Sequence, residues 1–383
     1  MNYALPFKKQ ELFSARFLGR PNRFLVDCEN EQHGTIRAFL PNPGRLSELL
    51  FPGVRLYVLD QTKGAENRKT KYTVIAVDRD KAPVMLHTHW CNDMAEVLLK
   101  DHAIPGLENA RVVRREAKVG RSRFDFLLED ASGLFYLEVK SCTLFGNGVA
   151  MFPDAVTERG RKHLLELASL SAEGFPCRVL FIVQTDKVQW FMPDYHTDLA
   201  FSQTLLHVKD QVKIDALPVS WTKSMRYKPG TQMLQIPWDH IEKEANDRGA
   251  YLLILKLPED TTLSIGSLGD QNFKKGYYIY VGSAMANLTK RIERHGRKRK
   301  QKHWHIDYFR AACDVVDALP IRSSQRMECI LADEVKAQFP ENTNCFGCSD
   351  CRCESHLFYS QDNPLHQPAF HQWLQSRRMA PPQ

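Results

Sequence analysis

Two runs of alternating residues constrain this chain more than any other feature. Arg123-Phe-Asp-Phe-Leu-Leu-Glu-Asp130 is followed by Ala131-Ser-Gly133 and then by Leu134-Phe-Tyr-Leu-Glu-Val-Lys140. A period of two, broken by small turn residues, predicts a β-hairpin. Arg123, Asp125 and Leu127 then share one face of the first strand; Tyr136, Glu138 and Lys140 share one face of the second. With Asp130–Gly133 as the loop, Glu129 faces Leu134 and Asp125 faces Glu138. Directly opposed side chains have Cβ atoms ~5 Å apart. Two bare carboxylates so close repel, and a divalent cation between them removes the repulsion. Oxygen ligands suit Mg²⁺ or Mn²⁺. Lys140 beside the metal can orient an attacking water or stabilise charge on phosphorus. A slip of one residue would destroy the arrangement. The competing reading is an amphipathic surface hairpin with Glu–Lys pairs. Apolar Leu137 and Val139 favour a buried strand with a wet functional end.

Three textures follow one another along the 383 residues. Residues 1–82 hold short β-rich runs, Asn22–Cys28, Thr35–Leu40, Val54–Leu59 and Tyr72–Val77. Turn signals at Pro41-Asn-Pro-Gly44, Phe51-Pro-Gly53 and Lys63-Gly64 separate them, and a short helix is expected at Arg45–Leu50. This predicts a small OB-like barrel. Residues 83–236 alternate helix (Asp93–His102, Thr157–Gly174) with strand (Phe124–Leu128, Phe135–Val139, Arg178–Gln184), an α/β domain. Tyr227–Trp238, with two prolines and a glycine, is expected to be a linker. A second α/β domain spans 240–375, with strands Tyr251–Leu257 and Tyr277–Val281 and helices Ile241–Arg248, Asn287–Arg299 and Ser324–Phe339.

Composition excludes little: 43% hydrophobic and 25% charged residues rule out a disordered chain. The first twenty residues contain no apolar signal core, and no run approaches the ~20 residues of a membrane span. The expected compartment is the cytoplasm, with no membrane partner. The ten cysteines are then read as thiols or metal ligands. The net charge of +7 is concentrated between Lys290 and Lys302, where eight Lys/Arg face one acid, Glu293. Such a block favours a polyanion, and Arg294, Arg297 and Lys298 are expected to contact it.

Phe17-Leu-Gly-Arg-Pro-Asn-Arg-Phe24, Leu40-Pro-Asn-Pro-Gly-Arg-Leu-Ser-Glu-Leu49, Ser122-Arg-Phe-Asp-Phe126, Leu137-Glu-Val-Lys-Ser141 and Phe152-Pro-Asp-Ala-Val-Thr-Glu-Arg-Gly-Arg-Lys-His163 recur in order. Over residues 1–236 they resemble the sugar fermentation stimulation protein family. The resemblance implies DNA binding without strong sequence preference through an OB-like domain, followed by a PD-(D/E)XK nuclease-like domain. It places that fold's acids on Asp125 and Glu138, its lysine on Lys140, and an extra acid on Glu96. Arg20, Arg23, Arg37 and Arg45 would give the first domain cations for phosphates. Phe24 and Phe39 could stack on bases, although barrel core is the favoured reading for both. Arg159, Lys162 and His163 are spaced to share a helix face and could reach a scissile phosphate; an ordinary exposed face is the alternative.

In the last domain, Tyr251, Tyr280, Arg291, His295 and Glu328 follow in an order that resembles the GIY-YIG nuclease superfamily. Gly276-Tyr-Tyr-Ile-Tyr-Val-Gly-Ser-Ala284, His303-Trp-His-Ile-Asp-Tyr308, Glu328-Cys-Ile-Leu-Ala332 and Ser349-Asp-Cys-Arg-Cys-Glu-Ser-His-Leu357 narrow this to an uncharacterised GIY-YIG-like branch. A tyrosine would accept a proton from water if nearby cations lowered its pKa, Arg291 would fork onto phosphate, and Glu328 would hold one metal ion. The tyrosines stand 29 residues apart, farther than a short hairpin allows. Cys348, Cys351, Cys353 and His356 have the donor types for Zn²⁺, with buried thiols as the alternative.

The leading expectation is a metal-dependent DNA or RNA nuclease with multidomain α/β architecture. The alternative is a non-sequence-specific DNA-binding regulator of sugar-metabolism genes whose nuclease folds are inactive. Oligomeric state is open at this point.

Overall fold

The computed structural model describes residues 1–8, 11–62, 70–120 and 122–382. The turn expected at Lys63-Gly64 lies outside the described residues. The chain divides into two compact units. One comprises Met1–Asp194, Ala200–Trp238 and Met379–Gln383, the other Tyr195–Leu199 and Asp239–Arg378.

The first unit opens with a closed barrel of five strands among the described residues: β1 (Leu12–Asn22), β2 (Leu25–Asn30), β3 (Gly34–Phe39), β4 (Arg55–Asp60) and β5 (Tyr72–Arg79). β1 pairs with both β2 and β4, β2 with β3, and β4 with β5, all antiparallel. A short parallel pairing of β3 with β5 closes the cylinder. One antiparallel ring closed by a parallel seam is OB-like topology. Its interior is apolar, with Val26, Ala38, Leu56, Val58 and Val74 each fully shielded. Strand β1 went unforeseen because Arg16, Gly19, Arg20 and Pro21 dilute its β pattern. The helix expected at Arg45–Leu50 is replaced by turns: Leu46 sits at φ 54°, which no helix tolerates.

The rest of that unit is a mixed sheet covered on both sides. Helix α1 (His89–Lys100) leads into β6 (Arg111–Val119), β7 (Ser122–Asp130) and β8 (Gly133–Cys142). Helix α2 (Glu158–Ala172) then crosses to β9 (Cys177–Val183), and β10 (Val212–Trp221) follows later. β8, β9 and β10 run parallel, while β6, β7 and β8 form an antiparallel meander. β9 is buried on both faces, which explains its unbroken apolar run: Val179 and Phe181 belong to one core and Leu180 and Ile182 to another. Part of the expected linker is a strand instead: Arg226–Pro229 pairs with β10, anchored by Tyr227, which is 1% exposed.

The second unit is built on four antiparallel strands in the order β13 (Asp314–Arg322), β11 (Gly249–Leu257), β12 (Gly276–Ala284) and β14 (Leu357–Ser360). Between β12 and β13 lies helix α3 (Leu288–Gly296), and between β13 and β14 helix α4 (Glu328–Gln338). The 29-residue spacing of the tyrosines has a simple origin. β11 and β12 pair directly, and a small hairpin, Thr261–Ser264 with Asp270–Phe273, is inserted between them.

Candidate active sites

The β7–β8 hairpin has the register read from its loop: Glu129 pairs with Leu134 and Phe126 with Leu137. Asp125 and Glu138 follow immediately beyond the last ladder pair. There the Val139 N–H turns to donate to Asp125 Oδ2 at 2.7 Å, and Asn92 of α1 donates to the other oxygen. Glu138 is 3% exposed. Its Oε1 accepts from Lys140 Nζ and lies 2.6 Å from His163 Nδ1, while its Oε2 is buried with no hydrogen-bond partner among the described residues. Burial, and then the charge of Glu138, push Asp125 up to about 6. Glu138 is held below the ordinary range: burial opposes this, but His163 and Lys140 outweigh it. The site therefore holds one easily ionised and one reluctant carboxylate whose charges act on each other, with an acceptor atom left without a donor among the described residues. That donor set fits a divalent cation, which would take its oxygens from Asp125 and Glu138.

Other expected partners are placed differently. Glu96 is engaged by Lys100 at 2.8 Å and Arg115 at 2.6 Å, and Asn92, one turn earlier, is the α1 residue that reaches Asp125. His163 is buried on Glu138, whereas Arg159 and Lys162 are exposed on α2, with Lys162 3.6 Å from Glu166. The helix face thus divides between a site residue and surface cations. In the barrel, Arg20 is turned inward onto three backbone carbonyls, those of Arg45, Arg23 and Asn42. Arg37 forms a two-pronged pair with Asp27 at 2.7 and 2.9 Å. Arg23 and Arg45 are exposed. Phe24 is 49% exposed, so it is not barrel core, and Phe39 is half-buried.

The second unit assembles its own cluster. Tyr251 on β11 lies opposite Gly282 of β12, and Tyr280 is two residues along the same strand. A Cβ at Gly282 would lie 2.5 Å from the Tyr251 ring and hydroxyl, so glycine is required there. His295 of α3 is buried against both tyrosine rings, at centroid distances of 5.8 and 6.2 Å. Burial, with Lys300 next, drives His295 down to about 3, so it is a neutral imidazole. Burial also lifts both tyrosines well above their ordinary range, against the pull of Arg291. This overturns the expectation that neighbouring cations depress a tyrosine pKa here: desolvation outweighs the single guanidinium.

Trp304 is an unforeseen member, with the Arg291 and Arg294 guanidinium groups 4.2 and 4.3 Å from its ring centre. Arg294 is no free phosphate ligand. It grips the fully buried Asp307 at 2.9 and 3.1 Å, and Lys300 joins at 2.9 Å. Lys298 pairs at the surface with Asp314, and Arg297 is exposed. Glu328, at the start of α4, accepts from Ser283 Oγ and lies 3.3 Å from His356 Nδ1. His356 Nε2 in turn lies 3.3 Å from Cys351 Sγ. The donors that cluster are those of Cys329, Cys351, Cys353 and His356, all within 4.8 Å of one another. Cys348, expected in this set, directs its thiol to the Phe346 carbonyl instead. Cys329 was missed because 22 residues of sequence separate it from Cys351.

Comparisons with known proteins bear on all three regions. Residues 18–86 match the SfsA N-terminal OB domain, 89–225 the sugar fermentation stimulation protein RE domain, and 250–378 a domain of unknown function, DUF123. A sugar fermentation stimulation protein homolog of Methanosphaera stadtmanae is 39% identical over half of this chain and 79% of its own length. One from Clostridium tetani is 38% identical over 52% of this chain and 85% of its own. The structure of Pyrococcus furiosus SfsA in complex with Ca²⁺ superposes with a TM-score of 0.56 at 28% identity, covering 62% of this chain and 99% of that one.

Proposed function

The chain belongs to the sugar fermentation stimulation protein family, and from that premise we propose that its first unit is a metal-dependent phosphodiesterase acting on DNA or RNA held by the barrel. The observation that carries this reading is Asp125 under the charge of the buried Glu138, whose Oε2 lacks a donor among the described residues. An unsatisfied buried carboxylate oxygen is costly unless something occupies it. The Ca²⁺ of the Pyrococcus furiosus relative supports a divalent cation as that occupant here, with Mg²⁺ or Mn²⁺ as the working ion. Such a cation would polarise a phosphoryl oxygen and lower the pKa of bound water.

The chain's own groups have separable tasks. Asn92 and the Val139 N–H orient Asp125, and His163 fixes Glu138. Lys140 Nζ lies at the edge of this pair, where it stabilises charge gathering on phosphorus. Arg23 with the exposed Phe24 offers a cation and a stacking surface for a strand, and Arg159 on α2 a further phosphate contact. This reading keeps the domain division of 1–82, 83–236 and 240–375, with the middle domain PD-(D/E)XK-like and the last GIY-YIG-like.

One observation favours the second reading, DNA binding without cleavage. Lys140 and His163 already converge on Glu138 Oε1, so that oxygen is satisfied without a metal. Incubating the protein with labelled single-stranded DNA, duplex DNA and RNA, in Mn²⁺ or EDTA, decides between them. Metal-dependent cleavage lost in Lys140→Ala but kept in Arg291→Ala supports hydrolysis by the first unit. Binding with every substrate intact supports the regulator.

A further inference from the structure

We propose that Cys329, Cys351, Cys353 and His356 form a structural Zn²⁺ site, and that this metal, acting through His356, positions Glu328. The inference concerns the second unit and does not rest on hydrolysis by the first.

Three thiols and an imidazole are a complete tetrahedral donor set for zinc. A Zn–S distance of about 2.3 Å implies donors about 3.8 Å apart, and the four donor atoms here lie within 4.8 Å of one another. A small contraction of the loop would close the set. Two strands of evidence argue that the cluster is built for a metal. Its members come from two elements far apart in sequence, the first turn of α4 and the loop before β14. The imidazole is also oriented on both sides. His356 is 2% exposed, its Nδ1 faces Glu328 and the Val281 carbonyl, and its Nε2 points at Cys351 Sγ. Nδ1 flanked by two acceptors carries the proton, which leaves the Nε2 lone pair to bind metal. A carboxylate behind a ligating histidine is the common second partner of such sites, fixing the ring and strengthening the ligand.

The consequence runs in both directions. Glu328 touches the metal ligand His356 through space and Cys329 through the chain, and Ser283 holds its other oxygen. With metal bound at Nε2, the Nδ1–H is fixed toward Glu328, and α4 is anchored through Cys329. Glu328 is therefore a positioning partner of the zinc site. The zinc site, in return, presets a carboxylate whose charge is felt by Tyr251 and Tyr280 and which feels that of Arg291.

The test uses the full chain loaded with Zn²⁺ or Co²⁺. One metal per chain is expected, with thiolate-to-cobalt charge transfer and tetrahedral visible bands. Cys329→Ser should lose stoichiometric binding, whereas Cys348→Ser should keep it. Where Cys329→Ser fails to fold, alkylation mapping of the metal-loaded wild type decides. Cys329, Cys351 and Cys353 should be protected and Cys345 and Cys348 labelled. Glu328→Ala should weaken Zn²⁺ binding roughly 10–100-fold, read by chelator competition. No bound metal, or a site that needs Cys348 and spares Cys329, would overturn the proposal. An unchanged affinity in Glu328→Ala would overturn its second half, the link between zinc and Glu328.

Discussion

Burying a carboxylate is tolerable only with donors in place, and Glu138 shows how finely that is apportioned. One oxygen takes Lys140 and His163; the other has no donor among the described residues. Removing His163 strips away a buried partner without touching the substrate. His163→Ala should therefore weaken Mn²⁺ binding roughly 10–100-fold, with partial rescue by His163→Asn, measured by Mn²⁺ titration. Equal affinity in all three proteins would mean that the histidine serves only packing. The alternation of two short runs sufficed to place Asp125, Glu138 and Lys140 at one end of the hairpin. It could not find His163 as their partner, because spacing within one helix says which residues share a side but not what that side meets. A second acid, the half-buried Glu48, is lifted to about 7, first by burial and then by the charge of Asp154. Its folded pKa exceeds its unfolded one, so its stabilisation is complete below about 4.5 and is lost as pH rises through about 7. At roughly 1.4 kcal/mol per pKa unit, wild type should lose up to about 3 kcal/mol relative to Glu48→Gln between those limits. Parallel urea-melt stabilities across that range would refute the assignment.

Elements are set in place by a few close approaches that no periodicity reveals. The loop after β3 packs so tightly that a Cβ at Gly44 would lie 2.2 Å from Asp154 Oδ2, while the Leu46 N–H donates to that same oxygen at 3.3 Å. A loop of the barrel is thus latched to the segment leading into α2. Gly44→Ala should destabilise the protein by about 1–3 kcal/mol through overpacking. Asp154→Ala alone loses the latch, but the double variant should recover much of the steric cost, giving a measurable coupling in a denaturation cycle. Additive losses would show that the contact is slack. The motif holding Gly44 was visible in the sequence; its partner 110 residues away was not. The expected helix at Arg45–Leu50 failed for the same reason, since tertiary contacts hold Leu46 at a positive φ. Strands with clean alternation were legible, and β1, diluted by charge, glycine and proline, was not.

Across the whole molecule, net charge overstates what is available to a polyanion. The block from Lys290 to Lys302 looked like one footprint, yet five of its eight cations already divide into two classes. Arg294 and Lys300 neutralise Asp307, whose side chain is fully buried and whose pKa their hydrogen bonds hold far down despite that burial. Arg297, Lys298 and Arg299 are exposed, and the Lys298–Asp314 pair is of the surface kind that contributes little. The two classes predict opposite behaviour. Replacing Arg297, Lys298 and Arg299 with alanine should leave the thermal midpoint nearly unchanged. If nucleic acid lies on this segment, it should also reduce the slope of log affinity against log salt by about 2 to 3, since each phosphate contact contributes roughly 0.9. Arg294→Ala should do the reverse. It removes a partner from a buried carboxylate, which costs about 3–5 kcal/mol, and leaves the salt slope of the folded fraction where it was. Filter binding over a salt series, run beside thermal melts, separates the two. A triple variant with an unaltered slope would assign this unit's excess charge to solubility and place nucleic-acid contact elsewhere on the chain.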